Sequence, residues 1–252
     1  YNGGGYKPST RRYFKFAKII GRINKSASVD DDLSDIYTNS KQRQRCSMRL
    51  SCLQENLSKG LATVGRAVAT RTTLPITQNI LVETDQSRLK LSATNLELAI
   101  TTWVGAKIEE EGSLTIPARL MTDFVNSLPR ETLEMQSISN PIAMSFNCPG
   151  FSATINGVDS REFPPIPSVE EGVIARVDPQ ILRTAIGRVL IAAATEDTRP
   201  VLTGVKLEIT GQQITLAAAD GFRLAVYKSS LLEPISEETE AIIPHRTLAE
   251  LQ

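Results

Sequence analysis

The 252-residue chain is 41% hydrophobic and 22% charged, a balance that supports a sizeable core and excludes a disordered or low-complexity protein. Its 28 basic and 28 acidic residues cancel, but unevenly: Tyr1 to Arg45 holds ten Lys or Arg against four Asp or Glu, so the remainder is acidic by six. The field of the main body therefore repels phosphate, and any contact with nucleic acid must come from locally grouped cations.

Residues 1–46 open with NGGGY, continue through the basic RRYFKFAKIIGR and end in SKQRQR without a sustained apolar period. They read as a disordered or non-native extension, because the regular pattern begins only at Met48. MRLSCL alternates as a strand, and QENLSKGLATVGRAVA then sets Leu57, Leu61, Val64 and Val68 on one helical face. Three strands are expected next, near Ile80–Thr84, Arg88–Ala93 and Leu96–Trp103. The same order recurs in SLTIPA, a helix over RLMTDFVNSLP with Met121, Phe124, Val125 and Leu128 inward, and the strands TLEMQSI, IAMSFN and FSATING.

REFPPIPSVEEG carries three prolines and reads as a linker. Beyond it GVIARVD is expected to be a strand and PQILRTAIGRVLIAAA a helix with Pro179 in its first turn. LTGVKLEIT, QITLAAA and FRLAVYK then read as strands, and EAIIPH with RTLAELQ begins a further half. This divides the chain into an extension over 1–46, one complete domain over 47–166 and a truncated domain over 172–252, with no third domain.

The two domains repeat one another. SATNLELAITTW matches AADGFRLAVYK at an offset of 126, pairing Thr94 with Asp220 and Leu96 with Phe222. TIPARL matches IIPHRT at 127, pairing Pro117 with Pro244 and Arg119 with Arg246. The expected fold is α+β, built from repeated βαβββ units with antiparallel sheets outside and helices on a shared inner face.

Chemistry is hard to find. The three cysteines, Cys46, Cys52 and Cys148, form no CxxC pair and have one His elsewhere, His245, so neither a zinc site nor a disulfide framework is indicated. No cofactor is expected. His245 has no evident nucleophile, and Glu109–Glu111, Glu170–Glu171 and Glu237–Glu238 read as solvated turns or linkers. NGGGY lacks the Lys and Ser or Thr that end a phosphate-binding loop. Trp103 reads as the end of a strand rather than a base-stacking platform. No apolar run reaches the roughly 20 residues of a membrane span and no secretory leader is visible, so a cytoplasmic protein without membrane contact is expected.

RTTLPITQNILVET, SATNLELAI, LTIPARLMTDFV, REFP, RPVLTGVKLEI, AADGFRLAVYK and AIIPHRTLAEL, in this order, resemble the first and second domains of the bacterial DNA polymerase III β subunits, the sliding clamps. The resemblance covers Met48 to Gln252. It implies the DNA clamp fold and a non-catalytic processivity factor that encircles double-stranded DNA independently of sequence. Such a subunit shares the DNA-directed DNA polymerase and nucleotidyltransferase label of its holoenzyme by association only. Full-length members pair head to tail as a homodimeric ring, first domain against third; a monomer is expected for this shortened chain. The alternative is a stand-alone peptide-binding module that does not encircle DNA.

The resemblance also implies that the replicative polymerase and the clamp loader dock through short peptide motifs in a groove to which Leu202, Ala219, Gly221, Phe222, Arg223 and Leu224 belong. Leu202 and Leu224 would supply an apolar floor, Gly221 a tight turn, and the Arg223 stem a flank. Ala219 and Phe222 stand where the family often has Thr and His. For DNA the candidates are Lys59 and Arg66, seven residues apart and so on one helical face, with Arg71, Arg119, Arg183, Arg188, Arg199 and Arg246. Of these, Arg71 and Arg119 match positions that approach DNA in the family. Their role would be phosphate contact, which weakens with salt and lets a ring slide.

Overall fold

The computed structural model describes residues 47–70, 72–166, 174–195 and 199–252. The expectations for residues 1–46, for Arg71, for Glu170–Glu171 and for the second half of the proline-rich linker fall outside these. The chain divides into two compact units, one ending at Ile166 and the other containing residues 174–252.

The first unit runs β1 (Arg49–Leu53), α1 (Gln54–Val64), β2 (Asn79–Asp85), β3 (Arg88–Thr94) and β4 (Ala99–Glu110), and then repeats the order with β5 (Ser113–Pro117), α2 (Ala118–Ser127), β6 (Thr132–Ser139), β7 (Ile142–Cys148) and β8 (Phe151–Asn156). A two-residue β9 (Val158–Asp159) follows. All pairings are antiparallel, in the order β8-β7-β6-β1-β4-β3-β2-β5-β9. The first strand of each half pairs with the second strand of the other, β1 with β6 and β5 with β2. Neither half therefore completes its ladder alone.

The helices cover one face because their apolar positions recur at helical spacing. Leu57, Leu61 and Val64 of α1 and Met121 and Val125 of α2 are buried in one cluster with Leu91, Val104 and Phe146 of the sheet. Gly60 allows the close approach of α1 to β4: a Cβ there would lie 2.6 Å from Val104 Cγ2. Gln54 Nε2 donates to the Val125 carbonyl at 2.7 Å and so ties the two helices together. The expected helix continues only to Val64 and tightens into a 3-10 turn over Gly65–Ala67. Val68 is then extended, so it lies past the helical face rather than on it.

The strand expected at Leu96–Trp103 is displaced. Leu96 has φ +76° in a turn, and β4 starts at Ala99 and runs to Glu110. Trp103 thus stands in mid-strand, donating its indole N–H to Asp85 Oδ2 at 2.7 Å, with the Arg88 guanidinium 5.7 Å from the ring centroid. Glu109 and Glu110 likewise belong to β4 rather than a turn, and Glu109 pairs with Arg49 at 3.1 Å. Cys52 and Cys148 are buried free thiols, and burial pushes Cys52 up to about 12, which keeps it neutral.

The second unit contains α3 (Pro179–Val189), β10 (Gly204–Thr210), β11 (Gln213–Ala219), β12 (Leu224–Ser230), β13 (Thr239–Pro244) and α4 (His245–Ala249), with sheet order β12-β11-β10-β13. Pro179 opens α3, and Asp178 Oδ1 caps it by accepting the Gln180 and Ile181 amides at 2.8 and 3.2 Å. Leu182, Ala185, Ile186 and Val189 pack on Val205, Leu207, Ile214 and Leu216. Residues 174–178 form no strand, contrary to the reading of GVIARVD. Their counterpart β1 is flanked on both sides, by β4 and β6. Among the described residues the segment has instead one sheet-like bond, from the Leu232 amide to the Arg176 carbonyl at 2.9 Å.

The repeat is more regular than the sequence match. Gln54 and Pro179 open α1 and α3, Pro75 and Pro200 open two 3-10 turns, and Asn79 and Gly204 open β2 and β10, each pair 125 residues apart. Ala99 and Leu224 open β4 and β12 at the same separation. The offset of 126 is therefore one residue too large for this stretch, and Asp220 is the counterpart of Asn95 rather than Thr94. A slip of one residue in an alternating strand inverts every side chain between the two faces.

Candidate docking surface and basic faces

The β11–β12 connection is a four-residue loop, Asp220–Arg223, closed by the pair Ala219 and Leu224. Phe222 and Arg223, expected in a strand, lie in this loop. Asp220 organises it: Oδ1 accepts the Phe222 and Arg223 amides, both at 3.0 Å, and Oδ2 accepts Arg223 Nε at 2.8 Å. The Phe222 amide foremost, with those of Arg223, holds the Asp220 carboxyl below the usual carboxylate range. Gly221 supplies the φ of +94° that the turn requires. The first unit has the same device, since Asn95 Oδ1 accepts the Glu97 and Leu98 amides at 3.0 and 2.7 Å and Leu96 takes the left-handed position.

Fixing the loop fixes what projects from it. Phe222 is 100% exposed and Leu224 69%, while Ala225 and Tyr227 turn to the core. Leu224 and Val226 thus lie on the opposite face of β12, opposite Ala219 and Ala217 of β11. Leu202 sits half-buried in the 3-10 turn Pro200–Thr203, its carbonyl accepting the Ala194 amide at 2.9 Å, and is not part of a strand as LTGVKLEIT had implied. That turn lies against the hairpin tip: a Cβ on Gly221 would be 3.2 Å from Nη1 of Arg199, the residue preceding the turn. The structure therefore gathers Ala219, Gly221, Phe222, Arg223 and Leu224 on one hairpin and sets the turn carrying Leu202 beside it. Two exposed apolar residues, Val201 and Val226, were missed by sequence reasoning. The alternation Leu224, Val226 was the available signal.

The cationic candidates lie mainly on helices. Lys59 is exposed on α1 and paired with Glu55 at 2.7 Å, an exposed i,i+4 contact of small energetic weight. Arg66 is exposed in the 3-10 turn after α1, so the two do not share one regular helical face. Arg119 stands in the first turn of α2 with its side chain 94% exposed, 3.7 Å from Asp123. Arg183 and Arg188 are exposed on α3, Arg188 with its guanidinium 5.5 Å from the Tyr227 ring centroid. Arg246 is exposed on α4. Arg199 instead lies beside the hairpin tip, at the start of the Pro200–Thr203 turn. His245 is half-buried at the start of α4. No helix among the described residues is long and apolar enough to cross a membrane.

The comparisons agree with this architecture. Residues 48–167 match the N-terminal domain of the DNA polymerase III beta subunit and residues 176–252 match its central domain. The beta sliding clamp of Synechocystis sp. is 33% identical over 210 residues, 81% of this chain and 54% of that protein. The solved DNA polymerase sliding clamp of Bacillus subtilis superposes with a TM-score of 0.76 at 26% identity, covering 81% of this chain and 56% of that one. A Pseudomonas aeruginosa clamp, solved bound to griselimycin, gives 0.69 at 29% identity over the same shares. The chain spans about half the length of the curated relatives it matches. Two successive domain matches, over units that repeat at 125 residues, lead to one conclusion: the chain belongs to the DNA polymerase III beta subunit family, the bacterial sliding clamps.

Proposed function

We propose that the protein carrying this chain is a sliding-clamp subunit that encircles duplex DNA and tethers a replicative polymerase to it. The observation that carries this reading is the presence, in order and in one chain, of both the N-terminal and the central clamp domain. The subunit does no chemistry of its own. It holds its partners by topology, and two subunits meet head to tail in the complete ring. The polymerase and the clamp loader dock through short peptides at the surface made by Leu202, Ala219, Gly221, Phe222, Arg223 and Leu224. On this reading the described region forms one repeated part of the ring, with residues 47–166 as its first domain and 172–252 as part of its second.

Lys59, Arg66, Arg71, Arg119, Arg183, Arg188 and Arg246 face the phosphates, with Arg199 at the margin. Each contact is weak and indifferent to sequence, which suits a ring that slides. The test is the salt dependence of binding to a short random-sequence duplex. Lys59→Glu with Arg119→Glu is expected to lower affinity about tenfold at low salt. Because each lost phosphate contact removes about 0.9 from the slope of log affinity against log salt, that slope should fall by roughly 1 to 2. Peptide docking should be unaffected. An unchanged slope in the folded double variant would remove these helices from the DNA interface and favour a peptide-binding module.

A further inference from the structure

The two halves of the first unit carry matching rows of residues on the sheet face turned away from the helices. One row crosses neighbouring strands through Val158, Thr115, Leu81, Ser92 and Thr101. The other crosses through Lys107, Ser51, Glu134, Asn147 and Ser152. The rows correspond because Thr115 and Ser51 each stand two residues before the N-cap of a helix, Pro117 for α2 and Leu53 for α1. Their surroundings differ. After Val158 the chain enters the 3-10 turn Ser160–Glu162, whose Ser160 hydroxyl lies 2.8 Å from that of Ser113, and Thr115, Leu81, Ser92 and Phe163 are all buried outside the main core cluster. After Lys107, β4 runs straight on to Glu110, and Glu134, Asn147 and Ser152 stay exposed.

This uncovered row forms an open hollow of about 330 Å³, with Arg49 and Lys107 in its lining. Its polar groups face water unpaired: among the described residues the side chains of Ser51, Glu134, Gln136, Asn147 and Ser152 make no hydrogen bond or ion pair. The two cations are engaged elsewhere, since Glu109 lies 3.1 Å from Arg49 and 4.0 Å from Lys107. Where the covered row has Leu81, the open row therefore has an unpaired carboxylate at its centre.

We infer that this hollow is a docking site for an arginine side chain of a partner protein. A guanidinium carries donors only, in a planar fork: its charge suits Glu134, and the Gln136 and Asn147 amide oxygens and the serine hydroxyls can accept its remaining N–H groups. An apolar side chain would strip water from all of these without replacing it. An anion would be set against the Glu134 carboxylate, with both nearby cations already held by Glu109. In the equivalent half, polypeptide covers the same frame, so a protein segment is the matching occupant.

Amide chemical-shift titration of the 252-residue chain with capped Gly-Arg-Gly and its uncharged counterpart, capped Gly-citrulline-Gly, tests this. The arginine probe is expected to shift the Ser51, Glu134, Gln136 and Asn147 amides saturably and to bind about fivefold more tightly than the citrulline probe, the scale of an exposed charge pair. Glu134→Gln should erase that difference; the side chain is exposed, so the spectrum elsewhere should stay that of the wild type. Equal affinity for the two probes, no saturable shift, or unchanged arginine affinity in Glu134→Gln would overturn the inference. Shifts as large around the exposed Glu237 as around Glu134 would mean diffuse attraction to an acidic surface, and would overturn it too. The comparison of the two probes needs no variant, so it decides the question even where Glu134→Gln fails to fold.

Discussion

Leu224→Asp should weaken docking of an apolar peptide by roughly thirtyfold to hundredfold and leave the fold in place. Leu224 opens β12 on the face away from the core and is 69% exposed, so its replacement removes little from the folded chain. Exposed substitutions of this kind usually change stability by within about 0.5 kcal/mol. A docked peptide would cover that side chain, and full burial of a leucine contributes about 1.5–3 kcal/mol. An aspartate loses this gain and also requires a carboxylate to be desolvated against an apolar partner. Isothermal titration with a short capped peptide that presents adjacent apolar side chains, beside a circular dichroism control, gives the answer. A folded variant with unchanged affinity would remove the hairpin from the docking surface.

Phe146→Ala should lower the stability of the first unit by about 3–5 kcal/mol. Phe146 lies on β7, is fully buried, and packs its ring at 5.6 Å and 57° against Phe124 of α2. Truncation leaves a cavity between β7, which is paired on both sides, and the helix layer, where neighbours on several strands cannot all collapse inward. The two apolar clusters share no residue. The loss should therefore appear in the transition of the first unit, with the second changing by only a few tenths of a kcal/mol. Urea denaturation followed by amide signals from each unit distinguishes this from an equal loss in both, which would contradict two separate cores.

Much of the fold was legible because it is local. The spacing of Leu57, Leu61 and Val64 and of Met121 and Val125 marks two amphipathic helices, and both pack as read. Alternation located most strands. What failed depended on partners or on special backbone. Leu96 reads as the first residue of a strand, but its turn is set by Asn95, and no periodicity shows a leucine at φ +76°. Residues 174–178 have the composition of a strand, but a strand exists only where a neighbour supplies its ladder. The exchange of first strands between halves is non-local and left no trace in either half. At the candidate site, Asp220 and Gly221 announced a turn. The full exposure of Phe222 was hidden, because an apolar residue before Leu224 and Val226 reads as strand.

The central claim is that these domains belong to a ring held on DNA by topology, and retention on closed against cut DNA tests it most directly. The protein that carries this chain, in the length its gene gives, would be loaded by a clamp loader onto nicked circular duplex, moved into high salt, and followed by gel filtration before and after a single restriction cut. Salt removes phosphate contacts but not encirclement. The account predicts that the protein stays with the circle and leaves once the DNA is linear. Equal release from circular and linear DNA would contradict it.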